Sequence, residues 1–262
     1  MSAGAAGSAV ETARADAGLA IRLEGVSLGY GRQAVLEDLH LDIAPGEVLV
    51  IVGPSGSGKS TVLRAIAGLL APRAGRVLAE GVPVTGPSPD RAMVFQDDAL
   101  LPWRTVRRNV ELPLRIRGVP RRERGTAAAS WIARVGLAGC EDRLPRELSG
   151  GMRQRVQLAR SLAGAPRAVL MDEPFGALDA QTRAGMQRLL LDVLRDTLST
   201  VVFVTHDVDE ALLLADRVVV LGHHGAHGRT GHGGIATVLR VPDPRTPDID
   251  RAALRARIIE EL

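Results

Sequence analysis

"GEVLVIVGPSGSGKSTVLRAIAGLL", the segment from Gly46 to Leu70, combines three patterns that together decide the fold. Its first seven residues are mostly apolar and rich in valine and isoleucine, which is typical of a buried strand. A glycine-rich loop of the form G-x-x-x-x-G-K-S comes next, and an apolar pattern with helical spacing follows it. Glycines let the backbone N–H groups of such a loop curl around phosphate oxygens. The segment therefore predicts an α/β domain built around a phosphate-binding loop, the P-loop.

Lys59 stands inside this loop and is the only lysine in a chain with 33 basic residues. A compact ammonium group fits within a loop that wraps phosphate, whereas a broad guanidinium group does not. We expect Lys59 to reach the β- and γ-phosphates of ATP and Ser60 to hold Mg²⁺. A glycine-rich turn without a ligand is the alternative, but the strand, the helix and the lone lysine together argue against it. The other loop residues predicted to contact ATP are Gly53, Pro54, Ser55, Gly56, Ser57, Gly58 and Thr61.

Two further strand-like runs deliver reactive side chains at their carboxyl ends. "AVLMDEP" ends in Asp172, which we expect to coordinate Mg²⁺, and Glu173, which is placed to polarise an attacking water. "TVVFVTHD" ends in His206, a candidate contact for a γ-phosphate, since active groups gather at the carboxyl ends of parallel strands. Taken singly, a solvated strand-end turn and a structural histidine are the simpler explanations.

"LSGGMRQR", Leu148 to Arg155, has the features of a second anion cradle. A serine and two glycines precede a helical pattern, so backbone N–H groups and the helix dipole point toward one spot. Taken alone, the stretch is better explained by an ordinary serine N-cap.

Composition restricts the function classes further. The 262 residues include one cysteine, Cys140, so an internal disulfide is excluded and a reducing compartment fits. No apolar run approaches the roughly 18 residues of a membrane span. Residues 1–18 lack the apolar centre of a secretory signal and predict a flexible tail. The arginines are scattered and aromatic residues are scarce, so no nucleic acid partner is expected.

Taken together and in order, these motifs resemble the ATP-binding subunits of ABC transporters, from about Ile21 to Leu221. The resemblance implies nucleotide contacts from Tyr30, which would stack on adenine, from the Walker A loop at Gly53–Ser60 and from the D-loop aspartate Asp179. It implies catalytic roles for the Q-loop glutamine Gln96, which also lies near Mg²⁺, for the glutamate Glu173 and for the switch histidine His206. Asp172 is then the Walker B aspartate, and Leu148–Gln154 is the ABC signature. It also implies a head-to-tail dimer. Ser149, Gly150 and Gly151 of one copy would then contact the γ-phosphate of ATP held by the other copy's P-loop.

The same resemblance implies a P-loop NTPase fold with an antiparallel β subdomain and a helical subdomain at about 97–160. We expect the ATP-binding domain to span 19–241, with short strands over residues 19–50, and residues 242–262 to form an extension with a solvated helix. "GHHGAHGRTGHGG", residues 222–234, holds four histidines. A metal site is one interpretation, but the glycines favour a mobile connection.

The segment after Gln96, "LLPWRTVRRNV", is similar to subunits of nitrate, alkanesulfonate and taurine importers. This implies a peripheral subunit on the cytoplasmic side of the inner membrane, a polytopic permease as partner, and a secreted substrate-binding protein acting indirectly. A soluble ATPase module acting on nucleic acid or a protein partner is the alternative. Residues Leu100 to Trp103 form an apolar lip that either receives a permease helix or packs the helical subdomain.

Overall fold

A computed structural model describes residues 18–222, 233–241 and 251–262. All of the predicted tail except Gly18 lies outside these ranges, as do the four histidines of segment 222–234. The chain divides into two compact units, one comprising Met1–Ser88 with Leu198–Leu262 and the other Pro89–Thr197. The domain limits expected from the sequence remain predictions.

An antiparallel sheet in the first unit confirms the predicted β subdomain. It contains β1 (Ile21–Tyr30), β2 (Gln33–Ile43), β4 (Ala74–Ala79) and β5 (Val82–Pro83), in the order β2-β1-β4-β5. β1 and β2 are longer than the short strands that the sequence predicts, with 10 and 11 residues. Register shifts along their pairing, such as that between Leu23 and Val26, keep both of these side chains buried. Two long, bulged strands therefore stand where the sequence predicts short ones.

The P-loop lies in the parallel part of this unit. β3 (Val48–Val52) pairs in parallel with β8 (Thr200–Val204) and β9 (Arg217–Gly222), and β10 (Gly234–Arg240) pairs antiparallel with β9. Every residue of β8 is buried, as expected of a strand covered on both faces.

The helix after the P-loop, α1 (Lys59–Ala67), is shorter than the predicted apolar pattern, which ran to Leu70. Gly68 ends it in the left-handed region, with φ of 79°. A Cβ at Gly68 would lie 2.2 Å from the carbonyl oxygen of Gly86, so only glycine fits here.

The described residues of the first unit also form α6 (Val208–Leu214) and α7 (Arg251–Glu260). The predicted C-terminal helix is confirmed as α7, but it is not solvated on every side. Ile258 is fully buried, and Arg255 Nε donates to Asp209 Oδ1 of α6 at 3.0 Å. None of the helices within the described ranges is long and apolar enough to cross a membrane.

The second unit has a mainly helical core beside two parallel strands, β6 (Arg91–Val94) and β7 (Ala168–Asp172). Its helices are α2 (Val106–Ile116), α3 (Arg121–Arg134), α4 (Gly150–Ala163) and α5 (Ala180–Thr197), with a 3₁₀ turn at Pro145–Glu147. The core residues that are fully buried between α2, α3 and α4 are Val106, Val110, Ala128, Ile132, Val135, Val156 and Ala159.

Candidate active site

The P-loop follows directly from the buried strand β3 and is shaped by its glycines. Gly56 and Gly58 have φ of 84° and 96°, a region that side chains with a Cβ rarely adopt. A Cβ at Gly58 would lie 2.7 Å from Leu36 Cδ1, whereas the space beside Gly56 is open to at least 4 Å. The loop is thus packed tightly on one side and accessible on the other.

Positive charge and an unsatisfied hydroxyl are concentrated in this loop. Lys59 is only 5% exposed, and its Nζ donates to the carbonyl oxygens of Gly53 and Pro54 at 2.8 and 3.0 Å. Ser57 is buried, and its Oγ has no hydrogen-bond partner among the described residues. The first turn of α1 contains no acidic residue, so nothing there offsets the positive end of the helix dipole. These features fit an anionic group such as the phosphates of ATP.

Tyr30 ends β1 and is exposed over 47% of its surface. Its hydroxyl accepts a hydrogen bond from Arg64 Nη1 at 2.9 Å, which orients the ring next to α1. An accessible, oriented aromatic ring is suited to base stacking. The adenine-stacking role of Tyr30 is compatible with this position and stays a prediction.

His206 lies at the same sheet edge as the start of the P-loop. β8 runs parallel to β3 with Ile51 opposite Val204, and Thr205 N donates to the carbonyl oxygen of Ile51 at 3.2 Å. His206 is exposed just beyond this pairing. Parallel pairing is therefore the reason that these two segments, distant in sequence, end side by side.

In the second unit, parallel pairing likewise places Gln96 and the acidic pair after adjoining strand ends. Val94 of β6 lies opposite Met171 of β7, and Asp172 and Glu173 follow. Asp172 is 8% exposed. Glu173 has φ of 42°, and a residue other than glycine in this region costs on the order of 1–3 kcal/mol. Strain of this kind is common where a side chain must be aimed at a reacting group.

The signature region caps a helix and leaves the start of that helix exposed. Ser149 is the N-cap of α4, and its Oγ accepts from the backbone N–H of Met152 at 3.3 Å. The serine-cap interpretation is therefore right as local structure. Ser149 and Gly150 are nevertheless exposed, and the first turn of α4 contains no acidic residue. The cap does not block the helix end, so the anion cradle stays a prediction for these residues.

The D-loop aspartate contacts the first turn of α5. Asp179 accepts hydrogen bonds from the backbone N–H and the hydroxyl of Thr182, at 3.0 and 2.7 Å. These two bonds, the backbone one first, lower the pKa of Asp179. The methyl group of Thr182 in turn faces Gly151, where a Cβ would lie only 2.8 Å from it. The signature and the D-loop thus touch through Thr182.

Sequence reasoning missed a polar face of α4 that holds the segment after β6. Arg153, Gln154, Gln157 and Arg160 all bond to groups of residues 95–99. Their spacing of one, four and seven residues from Arg153 places them on one helix face, which was the available signal. Buried glutamine such as Gln157, which is 0% exposed, needs hydrogen-bond partners that sequence alone does not name.

The apolar lip divides between core and surface. Leu100 is 7% exposed and packs in the core of the second unit, whereas Trp103 is 73% exposed. The turn that carries Trp103 is held by the fully buried Asn109. Its Oδ1 accepts from Leu101 N at 2.9 Å, and its Nδ2 donates to the carbonyl oxygens of Leu101, Arg104 and Thr105 at 3.2, 3.0 and 3.1 Å.

The family described as ABC transporter matches residues 36–176, which include the P-loop, the Q-loop, the signature and the acidic pair. The chain belongs to the ABC transporter family. An ATP-binding protein of Brucella abortus (strain 2308) is 47% identical over 242 residues, covering 91% of each chain. The taurine import ATP-binding protein TauB of Pseudomonas savastanoi pv. phaseolicola is 51% identical over 203 residues, covering 77% of this chain and 78% of TauB.

Solved structures of ABC cassettes share the fold. The structure described as a dimeric post-hydrolysis state of the ATP-binding cassette MJ0796 bound to ADP and Pi is 30% identical with a TM-score of 0.72. The match covers 85% of this chain and 99% of the MJ0796 chain. A second dimeric MJ0796 structure, described as a bacterial ABC transporter cassette, is 32% identical with the same TM-score. The ABC ATPase fold expected from the sequence is confirmed, and the chain is an ATPase of this family.

Proposed function

We propose that this chain is the ATP-hydrolysing subunit of an importer for taurine or a related alkanesulfonate or nitrate-type anion. The taurine import proteins of Pseudomonas and Yersinia, 47–51% identical over most of this chain, support this substrate class. The subunit is peripheral, on the cytoplasmic side of the inner membrane. The substrate itself is selected by the permease and by the secreted binding protein, because this chain's predicted sites accommodate only ATP.

The observation that carries the proposal is the exposed N-terminus of α4. Ser149 and Gly150 present a second phosphate-binding helix start in a chain that already has a P-loop. In a head-to-tail dimer, the N-terminus of α4 would contact the γ-phosphate of the ATP bound by the other copy. The dimeric MJ0796 cassettes, as relatives of known structure, support a dimer.

Within such a dimer, we assign the roles as follows. Lys59 and the loop N–H groups neutralise the phosphates, and Tyr30 stacks on adenine. Glu173 accepts the proton of the attacking water, and His206 holds the γ-phosphate. The residues proposed to hold Mg²⁺ are Ser60, Gln96 and Asp172. When bound, Mg²⁺ neutralises charge on the phosphate oxygens.

Mixing two inactive variants tests the head-to-tail dimer. Lys59→Ala removes the positive charge of the P-loop. Ser149→Arg places a bulky side chain at the exposed start of α4, where the signature would contact the other copy's ATP. Each variant alone is expected to be inactive, and Ser149→Arg should still bind ATP. A mixture should recover ATPase activity, since each mixed dimer has one site with both an intact P-loop and an intact signature. A mixture as inactive as its components, with mixed dimers present, would refute the arrangement.

We further propose that the permease docks on a groove of about 1110 Å³ between α2 and α3. Trp103 stands at this groove, and seven arginines but only one acid, Glu111, line it. In the part of the chain that the structure describes, Arg108, Arg115 and Arg121 form no salt bridge. An apolar anchor surrounded by unpaired positive charge fits an acidic helical segment with one apolar face.

Trp103→Ala, compared with Ile116→Ala, tests this surface. Ile116 is also exposed, at 63%, and lies on α2 but outside the groove. We expect only Trp103→Ala to reduce co-purification with the permease and to uncouple ATP hydrolysis from uptake, by about tenfold or more for an anchoring tryptophan. Equal behaviour of the two variants would place docking elsewhere. Retention of an oligonucleotide by the wild-type groove at physiological salt would instead favour the nucleic acid alternative.

A further inference from the structure

The segment after β6 is held to α4 by hydrogen bonds to its backbone. Gln157 Nε2 donates to the carbonyl oxygens of Phe95 and Asp97, each at 3.1 Å. Gln154 Nε2 donates to the carbonyl oxygen of Gln96 at 3.2 Å. The backbone of the Q-loop is thus fixed to one helix, while the side chain of Gln96 remains exposed.

Arg153 extends this attachment to the signature itself. Its Nε donates to Asp98 Oδ2 at 2.7 Å, and its Nη1 donates to the carbonyl oxygen of Leu148 at 2.8 Å. Both side chains of the ion pair are about two-thirds buried, with 35% and 31% of their surfaces exposed. One guanidinium group therefore joins the Q-loop to the residue immediately before Ser149, and a planar group with several donors suits such a bridge.

The bridged segment is under local strain, which makes its position sensitive to these bonds. Ala99 has φ of 45°, a conformation that alanine rarely adopts. Arg160 Nη1 donates to the carbonyl oxygen of Ala99 at 2.8 Å, and Asp98 Oδ1 accepts from Leu100 N at 3.2 Å. Burial lowers the pKa of the Arg160 guanidinium, and the charge of Asp98 opposes that shift. The segment keeps its conformation because α4 holds it there.

We propose that Arg153 is a positioning residue that couples the two ATP sites of the dimer. Gln96 belongs to the site where the chain binds its own ATP, and Ser149 belongs to the site on the other copy. The path from Asp98 through Arg153 to Leu148 makes displacement of the Q-loop displace the signature. ATP bound at one site thereby sets the placement of the signature at the other. This inference rests on the proposed head-to-tail dimer.

The test compares Arg153→Gln and Asp98→Asn with the control Arg155→Gln in the full-length chain. Arg155 is on the same helix and its Nη1 also donates to a backbone carbonyl oxygen, that of Val135, at 3.0 Å. Its bond does not involve the Q-loop. We expect Arg153→Gln and Asp98→Asn each to lower kcat for ATP about tenfold, with KM within about twofold of wild type. Arg155→Gln should retain the wild-type kcat even if its melting temperature falls as much as that of Arg153→Gln.

The double variant of Arg153 and Asp98 identifies the bridge as one unit. If the two residues act through each other, the double variant loses no more kcat than either single variant. Losses that multiply, or a kcat unchanged in Arg153→Gln, would overturn the inference. Recovery of activity on mixing the Lys59 and Ser149 variants is measured in parallel. Failure of that mixing counts against the dimer, whereas success with unchanged kcat in Arg153→Gln counts against the bridge alone.

Discussion

The two signature glycines, Gly150 and Gly151, are expected to respond differently to the same substitution. A Cβ at Gly150 would lie 3.9 Å from Arg153 Nη2, which is ordinary van der Waals distance. A Cβ at Gly151 would lie 2.8 Å from Thr182 Cγ2, where carbon atoms normally keep roughly 3.5–4.0 Å apart. Thr182 cannot rotate away without losing the 2.7 Å hydrogen bond from its hydroxyl to Asp179.

These contacts give the magnitudes. Replacing glycine by alanine within a helix stabilises by roughly 0.5–1 kcal/mol, and overpacking costs typically about 1–3 kcal/mol. Gly150→Ala should therefore leave the free energy of unfolding unchanged or slightly raised. Gly151→Ala should lower it by about 1 kcal/mol, the overpacking term less the helix gain. Adding Thr182→Ser removes the methyl group, keeps the hydroxyl, and should restore the loss.

Activity should not follow stability in this series. If both glycines let the backbone approach the γ-phosphate of the other copy's ATP, both alanine variants should lose kcat by about tenfold or more. Urea unfolding and steady-state ATP hydrolysis measure the two properties separately. Gly150→Ala with wild-type kcat would show that Gly150 does not contact the phosphate. A Gly151→Ala and Thr182→Ser double variant that regains kcat would show that Gly151 serves packing alone.

Three further predictions concern Tyr30, Asn109 and the C-terminal helix α7. Tyr30→Ala should weaken ATP binding by about tenfold, whereas Tyr30→Phe, which loses only the Arg64 bond, should bind nearly as wild type in a fluorescent-nucleotide titration. Asn109→Ala removes four hydrogen bonds at a buried site and should lower the free energy of unfolding by about 2–4 kcal/mol, measured by urea unfolding. Ile258→Ala should cost about 2–4 kcal/mol, while Ile259→Ala, at a site 46% exposed, should cost far less; equal costs would mean that α7 does not pack.

Sequence pattern alone predicted β3, β7 and β8 and the helices that follow the P-loop and the signature, because burial and period leave a local signature. The runs "GEVLVIV", "AVLMDEP" and "TVVFVTHD" contain β3, β7 and β8. The end of α1 was missed because Gly68 meets Gly86, a contact between segments that periodicity does not encode. The site motifs were found because glycine loops and strand-end carboxylates occur at fixed spacings.

Side-chain partners separated in sequence were not predictable in the same way. Asp98 and Arg153 are 55 residues apart, and each alone is an ordinary charged residue. Their pairing depends on how the segment after β6 meets α4, which is decided by tertiary packing. Trp103 illustrates the same limit, because the apolar run around it is compatible with either a core or a surface position. Its exposure depends on the hydrogen bonds by which Asn109 holds the turn, and these bonds are visible only in the structure.

The central claim is that ATP joins two copies through the signature, and sedimentation of the Glu173→Gln variant tests it most directly. This variant should bind ATP without hydrolysing it, so the closed dimer persists. We predict a species of the single-chain mass, 27.7 kDa, without ATP and of twice that mass with saturating ATP and Mg²⁺. Adding Ser149→Arg to the same chain should abolish the dimer while leaving ATP bound. A Glu173→Gln chain that binds ATP but stays single, or a dimer indifferent to Ser149→Arg, would contradict the account.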